Sequence, residues 1–184
     1  MPRLLAIDPG LRRLGWAAST SVPSRAACGA FVLSGTADLG RLYAEIRDVM
    51  DRLIEAHRPD IVRFVPAFGR SPQTDGVTAE GLAGVQAIMK LACFDHGLPA
   101  PLEKDERAMR KVVLGRGDFG RKDEWGRIIK GSGRKDAKET AMNWAEANGY
   151  PIGNEPDIAD ALVVWHYDRK LREADNEARL RKLL

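Results

Sequence analysis

The sequence predicts an α/β domain in which three short strands come first and helices then alternate with strands. Three observations predict it. Short apolar blocks near the N-terminus are each closed by turn residues, which is strand punctuation. From Leu42 onward, apolar residues recur at Ile46, Val49, Met50, Leu53 and Ile54, the spacing of one helix face. The chain has 184 residues, of which 44% are hydrophobic and 30% charged, enough to bury the core of one domain.

Leu4 to Asp8 is a short apolar run that ends on an acid, and Pro9-Gly10 turns the chain. Gly15 to Ser19 and Cys28 to Leu33 read as the second and third strands, separated by a polar loop through Val22-Pro23-Ser24. Such close connections suggest an antiparallel meander. The amphipathic helix covers Leu39 to Ala56, and Pro59 stops it. Asp60 to Val65 then reads as a buried strand ended by Pro66. After a polar loop over 69–76, a helix starts near Thr78 and Glu80 and runs to about His96, where Gly97 closes it. Pro99 to Glu103 suits a short edge strand, and Asp105 caps a helix through about Leu114. Gly115 to Gly133 is long for a plain connection and carries Phe119 and Trp125, each able to stack on a base or to pack the loop. Lys135 to Asn148 is helical, and Pro156 or Asp157 opens a last helix that becomes charge-rich beyond Tyr167. No internal repeat interrupts this order.

Charge is unevenly placed. The formal net charge is only +3. Between Arg110 and Lys138, however, ten Lys/Arg stand against four Asp/Glu, so the remainder of the chain is net negative. A basic segment on a near-neutral body suits a phosphate-contacting surface, and equally a solvated loop. Cys28 and Cys93 lie in apolar stretches without partner spacing and read as buried free thiols rather than zinc ligands. No apolar run approaches 18 residues and the N-terminus lacks signal-peptide order, so a cytoplasmic protein with no membrane span is expected.

The chemically suggestive residues are Asp8, at the end of the first strand, and Asp157 with Asp160, which share one face of the last helix. Carboxylates gathered from distant parts of a chain repel one another unless a cation is shared. Hard oxygen ligands suit Mg²⁺ or Mn²⁺. Taken singly, an Asp before Pro-Gly is an ordinary turn residue, and an Asp at a helix start is an ordinary cap.

The segment Leu5-Ala6-Ile7-Asp8-Pro9-Gly10-Leu11-Arg12-Arg13-Leu14-Gly15-Trp16 resembles the opening of RuvC-type Holliday junction resolvases. Asp157-Ile158-Ala159-Asp160-Ala161-Leu162 resembles the family's closing motif. Gly81 to Val85, Arg110 to Gly115 and Gly131 to Lys138 are similar to its phage and prophage branch. The resemblance covers roughly residues 4–168, leaving 169–184 as a charged helical extension. It implies an RNase H-like fold, a mixed five-stranded sheet whose first three strands are antiparallel and whose two faces carry helices. It further implies a structure-specific endonuclease acting on Holliday junctions or other branched DNA. Asp8, Asp157 and Asp160 would be its catalytic, metal-binding residues, with Mg²⁺ or Mn²⁺ as cofactor.

One position departs from the pattern. Where the family carries a glutamate at the end of its fourth strand, this chain has Val65. Valine binds no metal, which leaves three readings: an endonuclease with a rearranged site, a pseudo-nuclease that binds branched DNA without cutting, or an otherwise normal enzyme with an engineered or acquired inactivating change at Val65. Asp75 or Glu80, in or just after the following loop, is the less favoured substitute, since a loop ligand there would need a surrounding shell to hold it. The resemblance makes Phe68 a base-stacking aromatic and Arg110 and Lys111 phosphate contacts. Arg70, Arg116, Arg121, Lys122, Arg134, Lys135 and Lys138 extend the expected DNA track. His166 lies six residues after Asp160, off its face, and is read as structural. Asp168 shares a face with Asp157 but lies about 16 Å along the helix, too far for one site. The helix 78–96 is similar to the family's dimer-forming element, and a homodimer is expected, although its apolar set of Leu82, Val85, Met89 and Cys93 is also what a core helix shows.

Overall fold

The structure, a computed structural model, describes residues 2–65, 76–103, 105–120, 123–127, 129 and 132–181. One sheet holds β1 (Leu4–Pro9), β2 (Arg13–Ser19), β3 (Ala26–Val32), β4 (Ile61–Phe64) and β5 (Leu102–Glu103) in the order β3-β2-β1-β4-β5. The first three strands pair antiparallel, and β4 and β5 add in parallel beside β1. The helices are α1 (Leu39–His57), α2 (Gly76–Asp95), α3 (Glu106–Leu114), α4 (Ser132–Ala147) and α5 (Pro156–Arg181). This is the mixed five-stranded α/β sheet that the sequence predicts.

Strand alternation divides the core in two. Leu5 and Ile7 of β1, with Val62 and Phe64 of β4, pack against Leu42, Ile46 and Met50 of α1 and Val85 and Met89 of α2. Leu4 and Ala6 point the other way, with Met109 and Val113 of α3, Ala141 of α4, and Ile158, Leu162 and Trp165 of α5. Period two therefore places Asp8 on the second face, with Leu4 and Ala6. Val65 shares that face: it belongs to the same cluster, and its amide donates to the Ile7 carbonyl at 3.4 Å.

Several boundaries differ from expectation. β2 begins two residues early, at Arg13, because Leu14 pairs with Pro9. α2 begins at Gly76 and α4 at Ser132, a position where a first-turn glycine costs little. α5 runs unbroken through residues 168 and 169, so the expected charged extension continues the same helix. α2 also departs from the expectation of no spanning segment, being long and apolar enough by composition to cross a bilayer. In this fold it buries Val85, Met89, Ala92 and Cys93 and lies against α1.

α5 is anchored by buried charge. Arg63 of β4 pairs with Asp168, which also accepts from Arg172, and Asp168 is 2% exposed. His166 is buried in an aromatic box of Trp144, Tyr150 and Trp165, with the Tyr150 hydroxyl 2.9 Å from Nε2. Burial first, then Arg169 and Lys170, lower its pKa to about 4. It is a packed neutral imidazole, as its spacing from Asp160 suggests.

Candidate functional site

The site forms where the C-terminal end of β1 meets the start of α5. Asp8 pairs across the sheet with Gly15, and Gly15 makes the close approach of α5 possible. A Cβ at residue 15 would lie 2.0 Å from the Asp157 carbonyl oxygen, so any side chain there would force the helix away. An ion pair between Arg13 and Glu155 holds the segment just before α5 to the same strand. The first turn of α5 thus lies over Asp8, with Asp157 and Asp160 one turn apart.

The carboxylates act on one another. Burial is the first cause that pushes Asp8 well above the usual carboxylate range, followed by the Asp160 and Asp157 charges; Lys138 draws it back and Glu106 adds to the rise. Asp160, 8% exposed, is also raised by burial, against the pull of Arg110 and Lys138. Two cations counter the acids. Arg110 Nη2 donates to Asp160 Oδ1 at 3.2 Å and also pairs with Glu106. Lys138 Nζ donates to Asp157 Oδ1 at 3.0 Å. Asp8 accepts no hydrogen bond from a described side chain. Among the described residues, no three His, Cys, Asp or Glu side chains stand close enough to hold an ion as placed.

Glu106 was not anticipated. Asp105 caps α3 as expected, its side chain accepting from the Ala108 amide at 3.0 Å, and Glu106 follows in the first turn. There it looks like an ordinary acid at a helix start. The signal that could have found it is its spacing of four from Arg110, which puts both on the helix face turned toward Asp160.

The expected DNA-binding residues fall into three groups. Arg110 and Lys138 lie inside the carboxylate cluster. Lys111, Arg116, Arg134 and Lys135 are exposed around it, Arg116 donating to the Thr140 hydroxyl at 3.3 Å. Phe68, Arg70, Arg121 and Lys122 lie outside the described residues, as does Asp75. Glu80 is exposed on α2, with its backbone carbonyl accepting from the Tyr43 hydroxyl. The two loop aromatics separate. Phe119 is buried under the Arg116 guanidinium, 4.5 Å from the ring centre. Trp125 is 69% exposed beside Arg127, on a turn closed by the Asp123 carboxylate.

No protein-family model matches the chain. It is 28% identical to the crossover junction endodeoxyribonuclease RuvC of Agrobacterium fabrum, over 99% of this chain and 95% of that protein. It is 29% identical to the Rhizobium etli protein of the same name, over 88% of this chain and 86% of the other. In fold it is similar to the Thermus thermophilus RuvC structure, with a TM-score of 0.61, 14% identity, and 94% and 96% of the two chains covered. Near end-to-end alignment with RuvC proteins, the DPG turn at Asp8 and the DIAD helix start at Asp157 agree: the chain is similar throughout its length to RuvC-type Holliday junction resolvases and shares their fold.

Proposed function

We propose that this chain recognises four-way or similarly branched DNA and that its inherited chemistry is divalent-metal-dependent phosphodiester cleavage. The observation that carries this reading is the meeting of Asp8 with Asp157 and Asp160, ringed by the cations of α3 and α4. We place the chain in the phage and prophage branch, on the ordered motifs in α2, α3 and α4.

The donor set fits a hard cation. Among the described side chains none donates to Asp8, and burial, then the Asp160 and Asp157 charges, raise its pKa, so a cation there would relieve the cluster. Asp8, Asp157 and Asp160 would hold Mg²⁺ or Mn²⁺, and such an ion supplies an activated water and charge relief at the leaving oxygen. The protein's own part is positioning. Gly15 sets the distance between Asp8 and α5, and Arg110 and Lys138 place positive charge where a phosphodiester would lie. Exposed Lys111, Arg116, Arg134 and Lys135 offer a track for the flanking phosphates. Trp125 offers a ring for base stacking at about 1–3 kcal/mol per base.

A second reading, a junction-binding protein that does not cut, is favoured by Val65. It lies beside Asp8 on the same sheet face and is packed among apolar side chains, with no carboxylate to offer. The outer side of α2 exposes Val77, Leu91 and Phe94, the last 77% exposed. We assign that side to a second copy of the chain, giving a two-fold dimer for a substrate with two symmetry-related strands.

The test is a labelled four-way junction incubated with purified protein and Mg²⁺ or Mn²⁺, alongside Val65→Glu. Paired nicking by the parent chain supports the endonuclease. Tight junction binding without nicking supports the second reading. Binding to the junction no stronger than to duplex at moderate salt rejects both, since phosphate contacts alone weaken steeply with salt.

A further inference from the structure

We infer that Glu106 supplies, from α3, the carboxylate that is absent at Val65. The inference rests on the metal-binding reading of the site given above. It deepens that reading by naming a ligand on a different element.

The geometry begins with the sheet. Residue 65 follows Phe64, which pairs with Ile7, so its side chain emerges beside Asp8 and on the same face. α5 covers that face and α3 packs against α5, and Val65 belongs to one apolar cluster with Met109 and Val113 of α3. Glu106, Met109, Arg110 and Val113 are spaced three, four and seven apart, one stripe of that helix. The acid at the top of this stripe shares Arg110 with Asp160, and its charge acts on Asp8, which lies beside residue 65 on the sheet.

The contacts agree. Arg110 Nη2 binds both Glu106 Oε1 and Asp160 Oδ1, so the two carboxylates are at most two hydrogen bonds apart across one nitrogen. The Glu106 side chain is 19% exposed, unlike Glu80, whose residue is exposed on α2. Among the described residues, the buried Nε of Arg110 finds no hydrogen-bond partner. A guanidinium held by one nitrogen between two acids is better suited to give way when a cation or a phosphate enters. Counting Glu106, four carboxylates serve the site, the number the family pattern calls for, despite the valine.

The test is Mn²⁺ binding by the full chain, read by electron paramagnetic resonance of the free ion and by calorimetry. The variants are Asp8→Asn, Glu106→Gln, Val65→Glu and Val65→Glu with Glu106→Gln. Expected results are saturable binding by the parent, loss in Asp8→Asn, and affinity lowered about tenfold or more in Glu106→Gln. Val65→Glu is expected to restore affinity to the Glu106→Gln chain while adding little to the parent. Parent-like affinity in Glu106→Gln, with Asp8→Asn still impaired, overturns the role of Glu106 and leaves the metal site standing. A large gain from Val65→Glu alone overturns it too, because the place was then vacant. Absence of rescue in the double variant does the same. If the parent binds no Mn²⁺, or Asp8→Asn binds as the parent does, the metal reading fails and takes this inference with it.

Discussion

Asp8 is held in a state that costs stability. Its carboxylate is desolvated and faces Asp160 and Asp157, and only Lys138 among its named neighbours offers relief. A folded pKa above the unfolded one means the folded protein holds that proton more tightly. The penalty is therefore full above the raised value and fades as pH falls through it. Asp8→Asn is expected to stabilise the chain at pH 7 by about 1 kcal/mol, roughly 2–4 °C in Tm for a domain of this size. The advantage should shrink in acid, and urea titrations of both proteins from pH 7 to pH 4 measure it. An Asn variant less stable than the parent at pH 7 would mean that Asp8 is adequately solvated. The sequence makes Asp8 conspicuous through its DPG turn. Its strain is invisible there, because it depends on which charges the fold brings near. Glu106 is the converse case, an unremarkable first-turn acid in the sequence that joins the cluster only when α3 packs against α5.

At the scale of elements, the contact between β2 and α5 decides the site. Gly15 sits directly opposite Asp8, and the backbone of Asp157 occupies the space its Cβ would need. Gly15→Ala is expected to push the first turn of α5 outward, costing about 1–3 kcal/mol as an overpacked core does. Mn²⁺ affinity should fall with it, because Asp157 and Asp160 move together away from Asp8. Chemical denaturation and metal titration of the same variant check both halves. Full metal affinity in a folded Gly15→Ala protein would show that the approach is not limiting. The strands, the amphipathic α1 and the caps of α3 were legible from periodicity and turn residues. The two-residue β5 and the early start of α4 were less so, since short edges and loop-helix junctions carry little periodic signal. Phe119 and Trp125, open to either role in the sequence, part company in the fold because one side chain finds cover and the other does not.

At the scale of the whole molecule, the two sheet faces divide the work. One face buries α1 and α2 over an apolar cluster; the other carries α3, α4, α5 and every acid of the site. Val77, Leu91 and Phe94 are exposed on α2, the side we propose for a partner copy. Phe94→Glu is expected to convert a dimer to a monomer in sedimentation velocity, with the fold retained by circular dichroism. A parent chain that is monomeric at tens of micromolar would remove the dimer proposal. The sequence by itself determined the α/β class and the resemblance to RuvC-type proteins, and it singled out the three aspartates and Val65 as candidates, because strand period, turn chemistry and short motifs are local properties. Only the tertiary structure decided which further charges surround those aspartates. Arg110, Lys138 and Glu106 come from helices far from Asp8 in sequence, and their meeting depends on packing that no local pattern encodes. Whether Val65 marks an emptied place or one filled from α3 is accordingly a question of packing rather than of motif.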